Sequence, residues 1–269
     1  DQTDIQELIE SAIGAGINCF DTADLYDKGL NELQVGNALK AHRNKIIIAT
    51  KGGNEWKQDG SGWDWNPRKE YLLKAVEGSL QRLKTDHIDL YQLHGGTIDD
   101  PIDETIEVFE LMVKQGKIRY YGISSIRPNV ISEYVKRSRI VSVMLQYSLL
   151  DRRPEETLLP LLADNRIGVL ARGTVAGGLL IDKPAKPYLG YSAQEVAKLI
   201  SVIRELTSRE SSTAINYVLQ HHAVTAAIVG IRTLTHLQAA IESLTKAMSS
   251  AEITNLQQVL PPNLYKEHR

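Results

Sequence analysis

The sequence predicts an α/β protein built as a parallel (β/α)8 barrel whose first strand is absent from the sequence. Short apolar segments alternate with amphipathic segments seven times along 269 residues, as in consecutive β–α units. Residues 46–50 are almost continuously apolar, as in a parallel strand covered on both faces. The length suits one barrel domain over residues 1–269. An open doubly wound sheet is the alternative, but its usual glycine-rich phosphate loop, G-x-G-x-x-G, does not occur.

Each element is predicted from its apolar period and from the Pro and Gly residues at its ends. Helices are predicted over 4–15, 30–41, 67–84, 101–117, 128–137, 154–165, 192–207, 211–221, 236–244 and 251–259. Strands are predicted over 17–20, 46–50, 87–93, 119–123, 141–145, 168–171 and 225–229. Residues 54–66 are predicted to be a loop, and residues 180–190 a shortened one. Since a seven-stranded barrel would leave two unpaired edges, we expect further residues, with a first strand, before Asp1.

Composition excludes several classes of protein. The chain is 42% hydrophobic and 24% charged with a net charge of −2, which is typical of a globular protein and argues against nucleic-acid binding. Cys19 is the only cysteine, so neither a disulfide framework nor a cysteine-based metal site is expected, and a reducing, cytoplasmic location is favoured. No apolar run reaches the roughly 18 residues that predict a membrane span.

Polar residues stand where the predicted strands end. In a barrel the carboxyl ends of the strands converge on one mouth, so we expect these side chains to lie close together. They are Asp21 with Tyr26, Lys51, His94, Ser124 with Ser125, Gln146 with Tyr147, Arg172 and Arg232.

Four of these residues form a predicted proton-transfer set. A tyrosine is a weak acid, with a usual pKa of about 10, and a nearby ammonium favours its phenolate form. Lys51 would supply that ammonium, Asp21 would hold it charged and oriented, and His94 would bind a substrate carbonyl oxygen. Tyr26 is then a general acid. The alternatives are a structural Asp21–Lys51 ion pair and a metal site on Asp21 and His94, which no close set of ligands supports.

Four segments resemble the aldo-keto reductase superfamily, and bacterial members most closely. GINCFDTADLY (16–26) resembles its first signature, IATK (48–51) its lysine strand, IDLYQLH (88–94) its histidine strand, and GKIRYYGIS (116–124) the segment before its carboxamide-binding serine. The order and spacing of the four segments are specific, and the likeness extends from about Ile5 to Leu244.

The resemblance implies a TIM barrel that binds NADPH without a Rossmann fold. It implies the tetrad Asp21, Tyr26, Lys51 and His94. Ser124 and Gln146 would hold the nicotinamide carboxamide, with Ser125 where many members have Asn. Arg172 stands where many members stack an aromatic ring on the nicotinamide, and a guanidinium plane can stack too. Residues expected along the pyrophosphate are Gly173, Thr174, Val175 and Gly177.

The resemblance also implies a 2′-phosphate site. Gly230, Arg232 and Thr233 suit a phosphate at the head of a helix, and His236 stands where a further phosphate or adenine contact is common. Ala239 and Ala240 replace the acid and asparagine that the family often has there. Adenine binding is therefore expected to be weaker or shared with Gln238, which bears on the preference for NADPH over NADH.

The expected function is NADPH-dependent reduction of aldehydes or ketones to alcohols, with Tyr26 as general acid and a small carbonyl compound as the partner. One alternative is an NADPH-binding regulatory module, like a channel subunit, with little turnover. The other is a Schiff-base aldolase that uses Lys51. The sequence predicts neither the physiological substrate nor the oligomeric state.

Several other residues are predicted to be structural. Tyr91 and Gln92 are expected to pack inside the barrel, and Arg152 and Arg153 to form an exposed helix start. The loop with the three tryptophans is expected to be either a hydrophobic lid on the barrel or a substrate wall. The wall is favoured for Trp56, because loops after barrel strands carry function, and both readings stay open for Trp63 and Trp65.

Overall fold

The computed structural model describes residues 4–206, 210–244 and 247–269. The chain divides into two compact units, Asp1–Val143 and Met144–Arg269, with the division inside one strand. Strands and helices alternate in both units, as the α/β prediction requires. Within the described ranges, no helix is long and apolar enough to cross a membrane.

The described residues of the first unit form four parallel strands, a two-stranded hairpin and five α-helices. In chain order these are α1 (Ile5–Gly14), β1 (Cys19–Asp21), α2 (Leu30–Leu39), β2 (Ile47–Gly52), β3 (Asn54–Trp56), β4 (Trp63–Trp65), α3 (Lys69–Leu83), β5 (Ile88–His94), α4 (Ile102–Lys114), β6 (Ile118–Ser124) and α5 (Pro128–Arg137). The parallel strands lie in the order β1-β2-β5-β6.

The spacing of the apolar residues and the capping of the helix ends explain why these segments form strands and helices. β5 is buried over its first six residues, so its apolar side chains are covered on both faces of the sheet. In α4 the buried residues Val108, Phe109 and Met112 recur at helical spacing, which turns one face of the helix to the core. Asp4 caps α1, because its carboxylate accepts a hydrogen bond from the Gln6 N–H at 3.0 Å.

The segment predicted as a loop over 54–66 contains the antiparallel hairpin β3–β4, so that prediction is wrong. Asn54 pairs with Trp65, and Trp56 with Trp63. Trp65 anchors the hairpin, since its indole N–H donates to the Asp100 carboxylate at 2.9 Å. A Cβ at Gly53 would lie 2.7 Å from the Trp65 ring, so this position needs glycine. The exposed polar residues between the two short strands hid the hairpin.

In the second unit, the part of the chain that the structure describes forms three strands and five α-helices. They are β7 (Ser142–Gln146), α6 (Leu158–Asp164), β8 (Gly168–Arg172), α7 (Ala193–Leu206), α8 (Glu210–Leu219), β9 (Val224–Ile228), α9 (Leu234–Glu242) and α10 (Ser250–Val259). Their order in the sheet is β7-β8-β9, and β8 and β9 are parallel with a register shift between Val169 and Leu170. The end predicted for a helix at Thr207 lies outside the described residues.

Most element boundaries differ from the predictions by one to three residues. Two differences have a structural cause. The helix predicted over 30–41 ends at Leu39 and passes into a 3-10 segment, Lys40–Lys45. The helix predicted over 154–165 begins instead with a separate 3-10 turn, Arg153–Glu155, which contains Pro154.

The prediction that Arg152 and Arg153 are exposed is wrong. Arg152 is buried, binds the Glu155 carboxylate and donates its Nη1 to the carbonyls of Gln257 and Leu260 at 3.0 and 3.3 Å. Arg153 forms two hydrogen bonds with the fully buried Asp151, at 2.7 and 2.8 Å. These carbonyl partners of Arg152 are 105 and 108 residues away in sequence, so the local pattern Arg-Arg-Pro gives no sign of its burial.

Candidate active site

A buried ion pair lies where β1 and β2 end. Lys51 Nζ donates to Asp21 Oδ2 at 2.6 Å and to the Thr22 carbonyl at 2.7 Å, and only 1% of the lysine side chain is exposed. Burial raises the pKa of the Asp21 carboxyl, and the ammonium opposes that rise. Within the described residues, Asp21 Oδ1 has no hydrogen-bond partner. The pair therefore keeps unused hydrogen-bonding capacity.

Tyr26 lies beside this ammonium and faces solvent. Lys51 Nζ is 5.2 Å from the centroid of its ring, and 42% of the residue is exposed. Asp27 and Lys28 follow in the left-handed region with φ of 49° and 55°, and Gly29 has φ of 86°. Three successive left-handed residues reverse the chain sharply, and this turn follows directly after the phenol.

His94 completes the cluster from the end of β5. Its ring meets the Tyr26 ring edge-on, with centroids 6.0 Å apart and planes at 85°. Its backbone carbonyl accepts a hydrogen bond from Asn54 Nδ2 at 3.0 Å. The structure therefore brings the four residues of the predicted tetrad together in the first unit. An ammonium, a phenol and an imidazole so arranged can move a proton and bind a carbonyl oxygen.

Two serines end the neighbouring strand. Ser124 is the register partner of His94, and both Ser124 and Ser125 are buried. Ser125 Oγ accepts a hydrogen bond from the Arg127 backbone N–H at 3.2 Å. Arg127 in turn donates to the Gly96 carbonyl at 2.6 Å, which fixes the loop beside His94.

In the second unit, Gln146 and Arg172 end β7 and β8. Gln146 Nε2 donates to the Tyr188 hydroxyl at 2.8 Å, so the amide is held in one orientation. Gly173 has φ of 68°, and a Cβ there would lie 3.2 Å from Gln146 Cγ. The Arg172 carbonyl accepts a hydrogen bond from the Tyr147 N–H at 3.1 Å.

The remaining predicted residues of the second unit lie in two turns. Thr174 is buried, Val175 accepts a hydrogen bond from the Gly178 N–H at 2.9 Å, and no atom lies within 4 Å of the Cβ position of Gly177. Thr233 caps α9, because its Oγ1 accepts from the His236 N–H at 3.2 Å. Arg232, directly before this cap, is exposed, and the Cβ position of Gly230 is also open.

Two residues absent from the sequence prediction contact the tetrad segments. The Asp24 N–H donates to the Lys51 carbonyl at 3.2 Å, and the Asp24 side chain is buried. The sequence feature that predicts the burial of Asp24 is the position of an acidic residue between Asp21 and Tyr26, in an otherwise apolar turn. Asn54 offered no such sign, since its partner carbonyl at His94 is 40 residues away. No group of three His, Cys, Asp or Glu residues in the described part of the chain is placed to hold a metal ion.

Comparison with known proteins identifies the family. The model of the aldo/keto reductase family matches residues 1–261. The uncharacterized oxidoreductase YqkF of Bacillus subtilis (strain 168) is 49% identical over 274 residues, covering 97% of this chain and 89% of that protein. The NADH-specific methylglyoxal reductase of Escherichia coli (strain K12) is 28% identical over 281 residues, covering 94% of this chain and 86% of that protein.

A solved structure shares the fold. The holo form of the aldo-keto reductase AKR11C1 from Bacillus halodurans has a TM-score of 0.94 and 47% identity, covering 98% of this chain and 89% of that chain. This likeness confirms the predicted fold class, the (β/α)8 barrel, while the expected strand before Asp1 stays a prediction. Aldo-keto reductases are oxidoreductases that use nicotinamide cofactors and act on small carbonyl compounds. The match over most of the chain, together with the close relatives, shows that this protein belongs to the aldo/keto reductase family.

Proposed function

We propose that this protein is an NADPH-dependent reductase that converts aldehydes or ketones to alcohols, with Tyr26 as the general acid. The observation that carries the proposal is the position of Lys51 Nζ, which is bound to Asp21 at 2.6 Å and lies 5.2 Å from the Tyr26 ring centroid. An ammonium so close to the phenol attracts the negative charge that develops on the phenol oxygen while it donates its proton. Asp21 and the Thr22 carbonyl hold this ammonium in place.

His94 and the exposure of Tyr26 define where the substrate would bind. The imidazole, edge-on to the phenol, can hydrogen-bond the carbonyl oxygen that Tyr26 protonates. Because Tyr26 is 42% exposed, a carbonyl compound can reach its hydroxyl, and water can return the proton after each turnover.

The residues of the chain fit a nicotinamide dinucleotide phosphate, which supplies the hydride when bound. In the first unit, Ser124 and Ser125 offer hydroxyls next to His94 for the carboxamide. In the second unit, Tyr188 holds the amide of Gln146, which the resemblance assigns to nicotinamide binding. Arg172 would stack on the nicotinamide, as the resemblance implies. The open backbone at Gly177 suits close approach of the pyrophosphate, with the neighbours Gly173, Thr174 and Val175.

A phosphate fits at the start of α9. Arg232 is an exposed cation directly before this helix, and Thr233 and His236 flank its first turn. A guanidinium binds phosphate by paired hydrogen bonds, and amides at a helix start attract anions. This favours NADPH for the present chain, although the E. coli relative carries the description NADH-specific.

The test is steady-state turnover with NADPH and NADH across aliphatic, aromatic and sugar-like carbonyl compounds. We expect turnover with NADPH and a higher KM for NADH. Arg232→Gln should raise the KM for NADPH and leave that for NADH nearly unchanged, because only NADPH carries the 2′-phosphate. Equal KM values for both cofactors in the unaltered protein would contradict the NADPH assignment.

The same experiment separates the two alternatives. Tight cofactor binding without turnover would indicate a regulatory module. Borohydride trapping of a substrate on Lys51 without cofactor would indicate an aldolase. A Schiff base forms through the lone pair of a free amine, whereas Lys51 Nζ is engaged as a donor to a carboxylate and a carbonyl.

A further inference from the structure

A second buried carboxyl, Asp24, lies in the turn between Asp21 and Tyr26. Its backbone N–H donates to the Lys51 carbonyl at 3.2 Å, so the turn is bonded to the strand that carries the lysine. Its side chain is 8% exposed, and Oδ1 has no hydrogen-bond partner among the described residues. A Cβ at Gly52 would lie 3.3 Å from Asp24 Oδ2 and 2.2 Å from the Tyr91 hydroxyl, so the surroundings are tightly packed.

The Tyr71 hydroxyl connects Asp24 to the histidine segment. Tyr71 Oη lies 2.8 Å from the Asn54 carbonyl and 3.4 Å from Asp24 Oδ2. The Asn54 side chain then donates to the His94 carbonyl at 3.0 Å. One series of hydrogen bonds therefore runs from the turn before Tyr26, through Tyr71 and Asn54, to the end of β5.

Tyr71 has a single hydrogen to share between Asn54 and Asp24. A tyrosine hydroxyl has one hydrogen, and a backbone carbonyl can only accept. The hydroxyl faces the Asn54 carbonyl at 2.8 Å and, as a longer contact, Asp24 Oδ2 at 3.4 Å. A neutral Asp24 has a hydroxyl of its own to donate to Tyr71 Oη, which leaves the Tyr71 hydrogen on Asn54. An ionised Asp24 would compete with the Asn54 carbonyl for the single hydrogen of Tyr71.

The charges around Asp24 favour the same neutral form. Glu32 is fully buried and already holds Arg82, with 2.7 Å between Arg82 Nε and Glu32 Oε2, and Thr50 Oγ1, at 2.6 Å. Burial, and secondly the charge of Glu32, raise the pKa of Asp24 to about 7, against the opposing effects of Arg82, Tyr71 and the Leu25 N–H.

Each element packed around Asp24 contributes a titratable or charged group. The groups are Glu32 from α2, Tyr71 and Arg82 from α3, Tyr91 from β5, Lys51 on β2 through its carbonyl, and Glu55 from β3, which acts on Tyr71.

We propose that neutral Asp24 is a positioning residue for the proposed reduction, because its hydrogen bond to Tyr71 holds the segments that carry Tyr26, Lys51 and His94 in register. Ionisation of Asp24 draws the Tyr71 hydrogen away from the Asn54 carbonyl and loosens β3 next to His94. The inference rests on the proposed function for its effect on turnover. The hydrogen-bonded link itself does not depend on any activity.

The first measurement is amide hydrogen exchange, followed by mass spectrometry and corrected for intrinsic rates, from about pH 5.5 to about pH 9. Peptides that cover 21–28 and 51–56 should lose protection above neutral pH in the unaltered protein. Asp24→Asn cannot ionise, and its amide can still donate to Tyr71, so it should keep protection throughout. Tyr71→Phe should lack the extra protection at every pH. Indistinguishable exchange of the unaltered protein and Asp24→Asn would overturn the proposal.

The second measurement is the pH profile of kcat with NADPH. The unaltered protein should lose about tenfold in kcat per pH unit above neutrality, as one ionisation predicts. In Asp24→Asn this transition should be absent, with KM little affected, since Asp24 is placed to align the tetrad rather than to touch substrate. Superimposed kcat profiles would overturn the positioning role. Absence of turnover at every pH would reject the proposed function alone, and hydrogen exchange would still decide whether the link exists.

Discussion

Each unit of this protein contains a carboxylate that is bound to a cation and mostly shielded from solvent: the Asp21 side chain is 10% exposed and the Glu155 side chain 20%. These two carboxylates differ in how many hydrogen bonds they accept. In the second unit, Glu155 Oε1 accepts from the hydroxyls of Tyr147 and Tyr217 at 2.9 and 2.7 Å, and Arg152 binds both of its carboxylate oxygens. In the first unit, Asp21 accepts from Lys51 through Oδ2, and no partner of Oδ1 occurs in the described ranges.

This difference separates a structural charge cluster from a reactive one. Arg152 also uses Nη1 on two backbone carbonyls, so each nitrogen of its guanidinium is bound within the protein. Lys51 has three N–H donors, of which two are bound to oxygens of the described residues, and the Tyr26 phenol lies beside it. Fully satisfied buried networks rigidify a protein. An unsaturated one next to an exposed phenol is available for chemistry.

The largest expected effect is on turnover at the cluster of Asp21, Lys51 and Tyr26, which we call the unsaturated centre because part of its hydrogen-bonding capacity is unused. Tyr26→Phe should lower kcat by about 10²–10⁴-fold, the usual contribution of a general acid. The melting temperature should barely change, since Tyr26 is 42% exposed. Tyr120→Phe is the matched control, because Tyr120 is 58% exposed in the same unit and lies outside the tetrad. Wild-type turnover in Tyr26→Phe would show that another group supplies the proton.

The cluster of Arg152 and Glu155, which we call the saturated centre, should respond in the opposite way: its loss should lower stability and leave turnover nearly unchanged. Arg152→Leu leaves the Glu155 charge without its cation and should lower the free energy of unfolding by about 3–5 kcal/mol in urea titrations. Turnover per folded molecule should change little. Arg204→Leu serves as control: Arg204 is 59% exposed and pairs with Glu210, so its loss should change that free energy by less than about 1 kcal/mol. Equal effects of the two substitutions would remove the distinction between the centres.

The sequence revealed the unsaturated centre and not the saturated one, for a physical reason. Asp21, Lys51 and His94 end apolar strands, and parallel strands place such ends on one edge, so local patterns were sufficient. Arg152 and Tyr217 gave no such pattern, because the bond from Tyr217 to Glu155 spans 62 residues. The hairpin over 54–65 is not predicted for a similar reason: its strands are short, and Trp65, which anchors it, donates to Asp100, 35 residues away.

Asp24 extends the comparison to the pH dependence of stability. Burial, and secondly the charge of Glu32, raise its pKa from the usual aspartate value of about 4 to about 7, so the folded protein keeps a proton that the unfolded chain releases. This contribution to stability is present in full at low pH and is lost as pH rises from about 4 through about 7. We therefore expect the difference in unfolding free energy between Asp24→Asn and the unaltered protein to grow in favour of the variant as the pH rises. The growth from about pH 4 to about pH 8 should be at most about 4 kcal/mol. A constant difference across this range would contradict it.

The smallest expected effects test whether Glu155 is saturated. Tyr147 and Tyr217 donate to the same oxygen, Oε1, so either hydroxyl can be lost while the other still satisfies it. Tyr147→Phe and Tyr217→Phe should each lower the unfolding free energy by about 1 kcal/mol. The double variant leaves Oε1 with Arg152 alone and should cost more than the sum of the two, by about 0.5 kcal/mol or more in a double-mutant cycle. Strict additivity would mean that the two hydroxyls act independently, and Glu155 would then be no more saturated than Asp21.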